Sequence, residues 1–321
     1  MGTFTKLLQG AIPLTSYPYV GVSEACNLCG SAEKATLSEY DRRIKKLRTV
    51  ICLNCGLQRT DPMPTQAELS DYYRLSYRFD YQLAGTKPPK FHLKRSVNLA
   101  EKRLNWLLPA ISEKANVLDF GCGSGEFLKA CKDKGHKVTG IEPGQDYANF
   151  ANETYGVNVK CSVWSDTDLG DEKFDLITSF HVFEHLRDPL GAMRWLVSRL
   201  AKDGVITIAV PNMIPHTNGR KMFERLHFAH VHGFTPVTLE LLGKACNLEL
   251  DPRVQPTGTD MVFRKSAKKP TKLKTDPTYA QAMSKSYGDS NMLGYFLTGR
   301  WIVDAFARAG RDIRDSFKSS K

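Results

Sequence analysis

Residues 117–127 read VLDFGCGSGEF and place glycines at positions 121, 123 and 125 directly after a short, mostly apolar segment that carries Asp119. A glycine turn between a strand and a helix indicates that the backbone approaches a ligand closely. Strand patterns and helix patterns alternate regularly from residue 114 onward. This alternation predicts an α/β fold with a doubly wound, mostly parallel sheet that binds its ligand at the carboxyl ends of the strands.

Five strands and several helices are predicted around this turn. The predicted strands are NVLDF, KVTGIEP, VNVKC, KFDLITSF and VITIAVP. The predicted helices of the same region are SGEFLKACKDKG, QDYANFANETYG, DPLGAMRWLVSRLAKDG and TPVTLELLGKACNLEL, and NMLGYFLTGRWIVDAFARAG is predicted as a final apolar helix. Residues 66–110 read as a helical connecting segment, and Tyr73 and Tyr77 within it are candidates to fold over the site.

The residues around the glycines narrow the choice of ligand. A phosphate-binding loop needs a Lys after its last glycine, and the turn lacks one. A dinucleotide loop needs a third glycine where this chain has Glu126, and a carboxylate beside a pyrophosphate is electrostatically unfavourable. Asp119 and Glu142 instead offer carboxylates to cationic and hydroxyl groups. S-adenosylmethionine, with its ammonium, sulfonium and ribose diol, suits this pattern.

Over roughly residues 96–263 the sequence resembles the class I S-adenosylmethionine-dependent methyltransferases. The stretches that carry the resemblance are VLDFGCGSGEFL, VTGIEP, FDLITSFHVFEHLRDP and VITIAVPN. The resemblance implies a Rossmann-like sheet of seven strands, with Glu142 on the ribose and either Val163 or Trp164 beside the adenine, slightly ahead of Asp166. The other residues that it implies at the cofactor are Asp119, Gly121, Cys122, Gly123, Gly125 and Phe180.

Two cysteine pairs precede this region. CNLCG at residues 26–30 and CLNCG at residues 52–56 each place two thiolates on one side of a tight turn. Two such turns complete a tetrahedron around zinc, and four protein ligands make the ion structural rather than catalytic. The predicted zinc ligands are Cys26, Cys29, Cys52 and Cys55. The remaining cysteines, Cys122, Cys131, Cys161 and Cys246, are interpreted as core residues or as residues behind the site.

The expected domain order is a zinc-ribbon module at 1–65, the helical segment at 66–110, the methyltransferase domain at 111–263 and a basic helical extension at 264–321. A zinc module ahead of a methyltransferase domain is similar to bacterial enzymes that methylate sugars, including nucleotide-sugar C-methyltransferases. The resemblance implies a hydroxyl or carbon of a small molecule, a sugar, nucleotide sugar or glycan, as the methyl acceptor.

Histidines are the candidates for the base that a hydroxyl acceptor needs. His181 follows the fourth strand, where the class I fold faces the methyl group, and His185 lies with Glu184 in the next turn. His230 lies where sugar C-methyltransferases carry a Glu-His pair, with Ala229 in place of the Glu. The hypothesis is that His230 or His181 deprotonates the acceptor. His185 is either a further candidate for the base or a structural residue that stabilises the turn.

Charge and composition leave two alternatives open. The net charge is +11 and the last 61 residues carry thirteen Lys and Arg against five Asp and Glu, which is typical of a solvated tail. Together with the zinc module, this basic tail also fits an RNA substrate. A cofactor-binding regulator without catalysis is the second alternative. Pro13 and Pro18 interrupt the N-terminal apolar pattern, so we expect a cytoplasmic protein without a transmembrane segment, in which the eight cysteines stay reduced. The sequence indicates no oligomeric state.

Overall fold

The structure is a computed structural model that describes residues 14–75, 90–215, 225–269 and 272–288. Its strands in chain order are β1 (Lys34–Tyr40), β2 (Lys46–Cys52), β3 (Gln58–Thr60), β4 (Asn116–Phe120), β5 (Lys137–Ile141), β6 (Asn158–Lys160), β7 (Phe174–Phe180), β8 (Leu200–Ala209), β9 (His232–Gly233), β10 (Leu248–Leu250) and β11 (Asp260–Lys265). Its helices are α1 (Gln66–Leu75), α2 (Lys90–Leu107), α3 (Glu126–Asp133), α4 (Gln145–Tyr155), α5 (Pro189–Arg199), α6 (Pro236–Ala245) and α7 (Pro277–Gly288).

Seven strands form the main sheet, in the order β6-β5-β4-β7-β8-β11-β10. The strands from β6 to β8 are parallel, and β11 runs antiparallel to both of its neighbours. The chain moves outward from β4 to β6 and then returns to the other side of β4, so the strand order reverses between β4 and β7. In such sheets the crevice at the carboxyl ends of these strands holds the ligand. The predicted Rossmann-like sheet is therefore confirmed.

Helices cover both faces of this sheet because successive strand residues point to opposite sides. On one face Val117, Leu176 and Val205 pack with apolar residues of α2 and α3. On the other face their neighbours Leu118, Ile177 and Ile206 pack with residues of α5 and α6. Strands buried on both faces read as continuous apolar runs, which is the pattern that predicted them.

Two predicted helices end earlier than expected. The helix predicted at 188–204 ends at Arg199, and the next residues begin β8, where Leu200 pairs with Phe174 of β7. The strand lies so close to its neighbour that a Cβ at Gly204 would come within 2.8 Å of the Phe174 carbonyl oxygen. The helix predicted at 235–250 ends at Ala245, and its last residues form β10. The predicted Thr235 cap is present, with its hydroxyl accepting from Thr238 N.

A second, four-stranded antiparallel sheet carries the N-terminal cysteine pairs, in the order β1-β2-β3-β9. Its last strand comes from residues 232–233, far along the chain, where Gly233 pairs with Gln58 and His232 with Arg59. The domain boundary expected at residue 65 stays a prediction, but one strand of the later segment completes the sheet of the N-terminal module.

Helix α7 packs back onto the N-terminal sheet. The buried Tyr287 hydroxyl accepts from Gln58 Nε2 and donates to the Met213 carbonyl, and Tyr279 donates to Thr235 Oγ1 at 2.8 Å. This helix supports the predicted helical extension, whereas the helix predicted at 291–310 and Tyr77 lie outside the described residues. Within the described ranges, every helix is too short or too polar to cross a bilayer.

Four cysteines lie outside the predicted zinc site, and three of them are buried or partly buried, as the sequence indicated. Cys122 and Cys131 are buried and Cys246 is partly buried. Cys161 is exposed just after β6, so it is not a core residue, whereas the other interpretation, a residue behind the site, stays a prediction. Cys161 follows a short edge strand in which alternate residues face solvent, and its thiol points to the Pro143 carbonyl oxygen at 3.7 Å.

Candidate active site and cysteine cluster

Asp119 is buried near the carboxyl end of β4, two residues before Gly121, the first glycine of the turn. Thr178 of the neighbouring strand β7 donates to its Oδ1 at 2.7 Å. Burial raises the pKa of Asp119 to about 7, against the lowering effects of the Thr178 hydrogen bond and of the nearby Arg103 guanidinium. A carboxyl with this pKa gains its charge near neutral pH and gains it more readily when a cation binds beside it.

The three glycines of the turn lie in different environments, so each is a glycine for a different structural reason. Gly121 and Gly123 both have left-handed φ, at 76° and 52°. A Cβ at Gly121 would overlap Val182, so that glycine is required by packing within the protein rather than by a ligand. A Cβ at Gly123 would meet no atom of the described residues within 4 Å, so this glycine faces open space. A Cβ at Gly125 would lie 2.7 Å from Ala151, so Gly125 lets α3 pack on α4.

Glu142 closes the other side of the turn from the end of β5. Its Oε2 accepts from Gly123 N at 3.0 Å and its Oε1 accepts from Gly144 N at 2.8 Å. Burial raises the pKa of Glu142, and these backbone donors partly offset the effect. Each carboxylate oxygen retains a second acceptor position, which is the requirement for accepting a pair of ribose hydroxyls.

The residues expected beside the adenine follow β6. Trp164 begins a 3-10 turn over Trp164–Asp166 and packs against Trp195 of α5, with ring centroids 6.1 Å apart. Val163 is 39% exposed. Trp164 is therefore partly engaged with the protein, whereas Val163 presents an apolar surface to solvent at the same edge of the sheet.

Phe180, the last residue of β7, contacts residues from two helices. Its ring packs edge-on against Phe127 of α3 at 5.1 Å, and the Arg103 guanidinium lies 4.0 Å from its centroid. Arg103 comes from α2 and interacts electrostatically with both Asp119 and Asp260. Sequence reasoning missed Arg103 because its helix gives no local sign of pointing an arginine at this edge of the sheet.

The three candidate histidines meet at one buried carboxylate. Glu184 is 2% exposed, and its Oε1 lies 3.5 Å from His181 Nδ1, 3.8 Å from His185 Nε2 and 3.9 Å from His230 Nε2. His230 therefore does have an acidic neighbour, although Ala229 occupies the expected position. Glu184 was seen in the sequence only as a turn residue, and the histidines on either side of it were its signal. We refer to Glu184, His181, His185 and His230 as the histidine cluster.

Local contacts fix the orientation of His185 within the cluster. Its Nδ1 lies 2.8 Å from the Ala229 carbonyl oxygen, and since a carbonyl only accepts, Nδ1 carries the proton. Tyr73, one of the two tyrosines expected over the site, places its hydroxyl 2.8 Å from the same nitrogen. In the neutral ring, Nε2 then directs a lone pair toward Glu184.

The environment keeps the deeper histidines uncharged. Burial lowers the pKa of His230 well below its usual value, and the neighbouring His185 adds to the effect. Burial does the same for His227, whose ring centroid lies 3.7 Å from that of His230. Neutral imidazole is the form that accepts a proton or binds a metal ion.

The cluster lies beside the glycine turn. His181 follows β7 directly with a left-handed φ of 59°, and its N–H donates to the Ala209 carbonyl oxygen at 2.8 Å. The next residue, Val182, is the one that packs against Gly121. A non-glycine residue held in this conformation is typical of functional sites. His181 is also the most open of the three, with 55% of its side chain exposed.

The two cysteine knuckles have matching backbone geometry. In the first, Gly30 N donates to Cys26 O at 2.8 Å and Cys26 N to Ser31 O at 2.9 Å. In the second, Gly56 N donates to Cys52 O and Cys52 N to Leu57 O, both at 2.9 Å. The four predicted ligand sulfurs lie within 4.8 Å of one another, and Cys26 Sγ is 3.6 Å from Cys55 Sγ. The hydrogen bond from Cys26 is the main cause that lowers the pKa of Cys29 and of Cys52.

The knuckles also contact the segment that follows the histidine cluster. Asn27 donates to Asp188 Oδ1 at 3.0 Å and accepts from Leu190 N at 3.2 Å, at the start of α5. Arg187 pairs with Glu24 at 2.7 Å and donates to the Pro64 carbonyl oxygen at 3.1 Å. The N-terminal module therefore holds the end of the loop that carries His181, Glu184 and His185.

Comparison with known proteins agrees with this geometry. The sequence matches the family described as Methyltransferase domain over residues 92–252, just over half of the 321 residues. The chain belongs to this family.

Individual relatives cover part of the chain. An uncharacterized methyltransferase from Staphylococcus carnosus is 31% identical over 101 residues, which cover 31% of this chain and 48% of that protein. A ubiquinone biosynthesis O-methyltransferase from Pseudomonas syringae pv. tomato is 31% identical over 150 residues, which cover 43% and 60%. The chain thus spans about half to three fifths of the length of these relatives.

Among solved structures, the CcbJ methyltransferase from Streptomyces caelestis is similar with a TM-score of 0.44 and 15% identity, covering 62% of this chain and 96% of that one. A similarity of this size carries no information on substrate.

The pKa of Asp119 gives a prediction for cofactor binding. If the ionised carboxylate receives the ammonium of S-adenosylmethionine, affinity should fall by about tenfold between pH 8 and pH 6, because the free protein is protonated below about pH 7. Calorimetric titration of the cofactor at several pH values measures this. Asp119→Asn should bind more weakly and with a much flatter pH profile, whereas the exposed Asp166→Asn should keep the wild-type profile. An equally steep profile in Asp119→Asn would assign the titration to another group.

Proposed function

We propose that the protein transfers a methyl group from S-adenosylmethionine to a hydroxyl of a small-molecule acceptor. The observation that carries the proposal is the histidine cluster, because His181 directly precedes Val182, which packs against the glycine turn, and His230 faces the same Glu184 carboxylate as His181. A family member that only binds the cofactor has no need for a buried carboxylate among three histidines at this edge of the sheet.

The residues of the turn suit each part of the cofactor. The Asp119 carboxyl and the open backbone at Gly123 fit the aminoacyl end, and the Glu142 carboxylate fits the ribose hydroxyls. Phe180, with Arg103 over its ring, fits beside the sulfonium, and Val163 beside the adenine. When bound, the cofactor supplies a methyl group on a positively charged sulfur. The neutral thioether released by the transfer is a good leaving group.

The proton of the acceptor hydroxyl goes to a histidine of the cluster. The acceptor oxygen forms its bond to the methyl carbon while the carbon–sulfur bond breaks and its electron pair stays on sulfur. His181 is the more exposed base candidate and His230 the more buried one, and the Glu184 carboxylate stabilises the imidazolium formed at either. Both candidates stay open on these distances.

The acceptor class rests on two supports. The resemblance to sugar and nucleotide-sugar methyltransferases favours a sugar, nucleotide sugar or glycan. The names of relatives such as the Pseudomonas syringae protein describe O-methylation, which favours oxygen over carbon as the acceptor atom. RNA as the substrate rests on the zinc module and on the basic tail, whose described residues 264–269 and 272–288 carry seven Lys and Arg against one Asp. A cytoplasmic location stays a prediction.

We also infer that the cysteine cluster binds a structural zinc ion. With zinc–sulfur bonds of about 2.3 Å, the sulfurs of a tetrahedral site are about 3.8 Å apart. The Cys26–Cys55 and Cys29–Cys52 sulfur separations of 3.6 and 3.5 Å are close to this value. Four cysteines would fill the coordination sphere, so the ion would join the two knuckles and take no part in the transfer.

Turnover tests the role of the histidines. His181→Gln and His230→Gln should each bind the cofactor within about twofold of wild type, and the variant that lacks the base should lose about 100-fold or more in kcat. The assay is transfer of radiolabelled methyl from S-adenosylmethionine to extract, separated into small-molecule, glycan and RNase-sensitive pools. His136→Gln is the control, because His136 lies at the opposite edge of the sheet, where it accepts from Ala115 N.

Unchanged turnover in both cluster variants would contradict the proposed base. Label that appears only in the RNase-sensitive pool would replace the small-molecule acceptor with RNA, and the transfer rate should then fall steeply with salt.

Elemental analysis tests the zinc inference. The purified protein should contain one zinc per chain, and Cys29→Ser should lose it and unfold at a lower denaturant concentration. The loss of stability should be several kcal/mol, because binding energies of structural zinc are about 10–16 kcal/mol in small peptides. Cys246→Ser is the matched control, since Cys246 is a partly buried thiol outside the cluster. Full-length protein without zinc and with unchanged stability would contradict the inference.

A further inference from the structure

Glu184 is a buried carboxylate without its usual partners. Among the described residues, neither of its oxygens has a hydrogen-bond partner, although its side chain is only 2% exposed. A buried carboxylate is normally satisfied by several donors or by an adjacent cation, because removing its charge from water is costly. The three nitrogens that face it lie at 3.5 to 3.9 Å, beyond the range of a strong hydrogen bond.

Two imidazole nitrogens of the cluster face the same carboxylate oxygen. His185 Nδ1 lies 2.8 Å from the Ala229 carbonyl oxygen, an orientation that turns Nε2 toward Glu184 at 3.8 Å. His230 Nε2 lies 3.9 Å from the same oxygen. These separations are too long for hydrogen bonds, and a cation between the three atoms would satisfy the buried carboxylate.

We propose that Glu184, His185 and His230 bind a divalent transition-metal ion. Their ligand atoms all lie within 4.8 Å of one another. Bonds of 2.0–2.2 Å at tetrahedral angles separate ligand atoms by about 3.4 Å, so small side-chain movements would close the 3.8 and 3.9 Å separations onto one ion. Two imidazoles and one carboxylate select zinc, iron, cobalt or manganese over calcium and magnesium, which prefer oxygen ligands.

The hydrogen bonds around His185 are those expected of a histidine that binds a metal ion. Metal-bound histidines almost always donate their other ring N–H to a carbonyl or carboxylate, which fixes the tautomer and the ring orientation. His185 Nδ1 does so to Ala229 O at 2.8 Å, and the Tyr73 hydroxyl lies at the same distance from it. The site is open to one side, because His185 and His230 are 19% and 20% exposed.

A bound ion would also narrow the chemical class of the methyl acceptor. This inference rests on the proposed function. Three protein ligands leave coordination positions open for substrate oxygens. An acceptor with two adjacent oxygens, such as a vicinal diol or a hydroxy ketone, would chelate the ion through both. Coordination lowers the pKa of a hydroxyl. His181, which is outside the metal-ligand set, then takes the proton as the oxygen forms its bond to the methyl carbon.

Metal binding by the purified, full-length protein tests the proposal without any turnover. The protein is dialysed against CoCl₂, and bound cobalt and zinc are counted per chain by elemental analysis. We expect one cobalt ion in addition to the metal in the cysteine cluster. Glu184→Gln and His230→Gln should each weaken cobalt binding by about tenfold or more. Glu240→Gln is the control and should bind cobalt as wild type does, because Glu240 pairs with Lys244 on the surface of α6.

The experiments distinguish an error in the proposed metal site from an error in the proposed methyl transfer. Cobalt uptake only at the cysteine cluster, or uptake that is unchanged in both variants, would overturn the metal site. Methyl transfer that persists after chelation would also overturn it and would leave the proposed function intact. The cofactor titration shows whether each variant is folded, since cofactor binding uses residues outside the cluster. Cobalt bound as expected by a protein that transfers no methyl group would support the site and contradict the proposed function.

Discussion

The pairing of β3 with β9 is the contact on which the histidine cluster depends. His230 lies two residues before β9, and β9 is held at the edge of the N-terminal sheet by the pairs Gln58–Gly233 and Arg59–His232. Thr60 N extends the pairing through its bond to the Val231 carbonyl oxygen at 2.9 Å. His232 then donates from Nδ1 to the Leu186 carbonyl oxygen at 2.9 Å, which ties β9 to the segment that carries His185. A sheet that belongs to the cysteine-rich module thus brings the two halves of the cluster together.

This arrangement gives the N-terminal module a physical role in the proposed chemistry. The cysteine knuckles lie in the same apolar cluster as Phe183, Met193 and Leu239 of the methyltransferase domain, so they pack on it rather than extend from it. Asn27 and Glu24 hold the residues that follow the histidine cluster. Catalysis by alignment requires groups held within a fraction of an ångström. A module without contact to the reacting atoms can supply that rigidity.

Local sequence patterns were enough to predict the five parallel strands, the glycine turn and the cysteine cluster, whereas the count of seven strands came from the family resemblance. The glycine turn and the CxxC spacing are short-range signals, as is the Thr235 cap of α6. Helix ends at Arg199 and Ala245 were placed too late because apolar residues continue into β8 and β10, and periodicity alone does not mark the change. The contact between His185 and Ala229 spans 44 positions of sequence, so the place of Glu184 among the histidines followed only from the pairing of β3 with β9.

The N-terminal module holds the loop of His181, Glu184 and His185 in place, and Arg187 tests this constraint most directly. Its side chain links the loop to Glu24 and to the Pro64 carbonyl oxygen without contacting the glycine turn. The measurement is kcat and cofactor affinity for Arg187→Met, with Arg264→Met, which breaks a partly exposed pair with Glu249, as the control. We predict cofactor affinity within about twofold of wild type and kcat lower by about tenfold or more, since a small misplacement of the reacting groups is costly. A kcat equal to that of the control would contradict it.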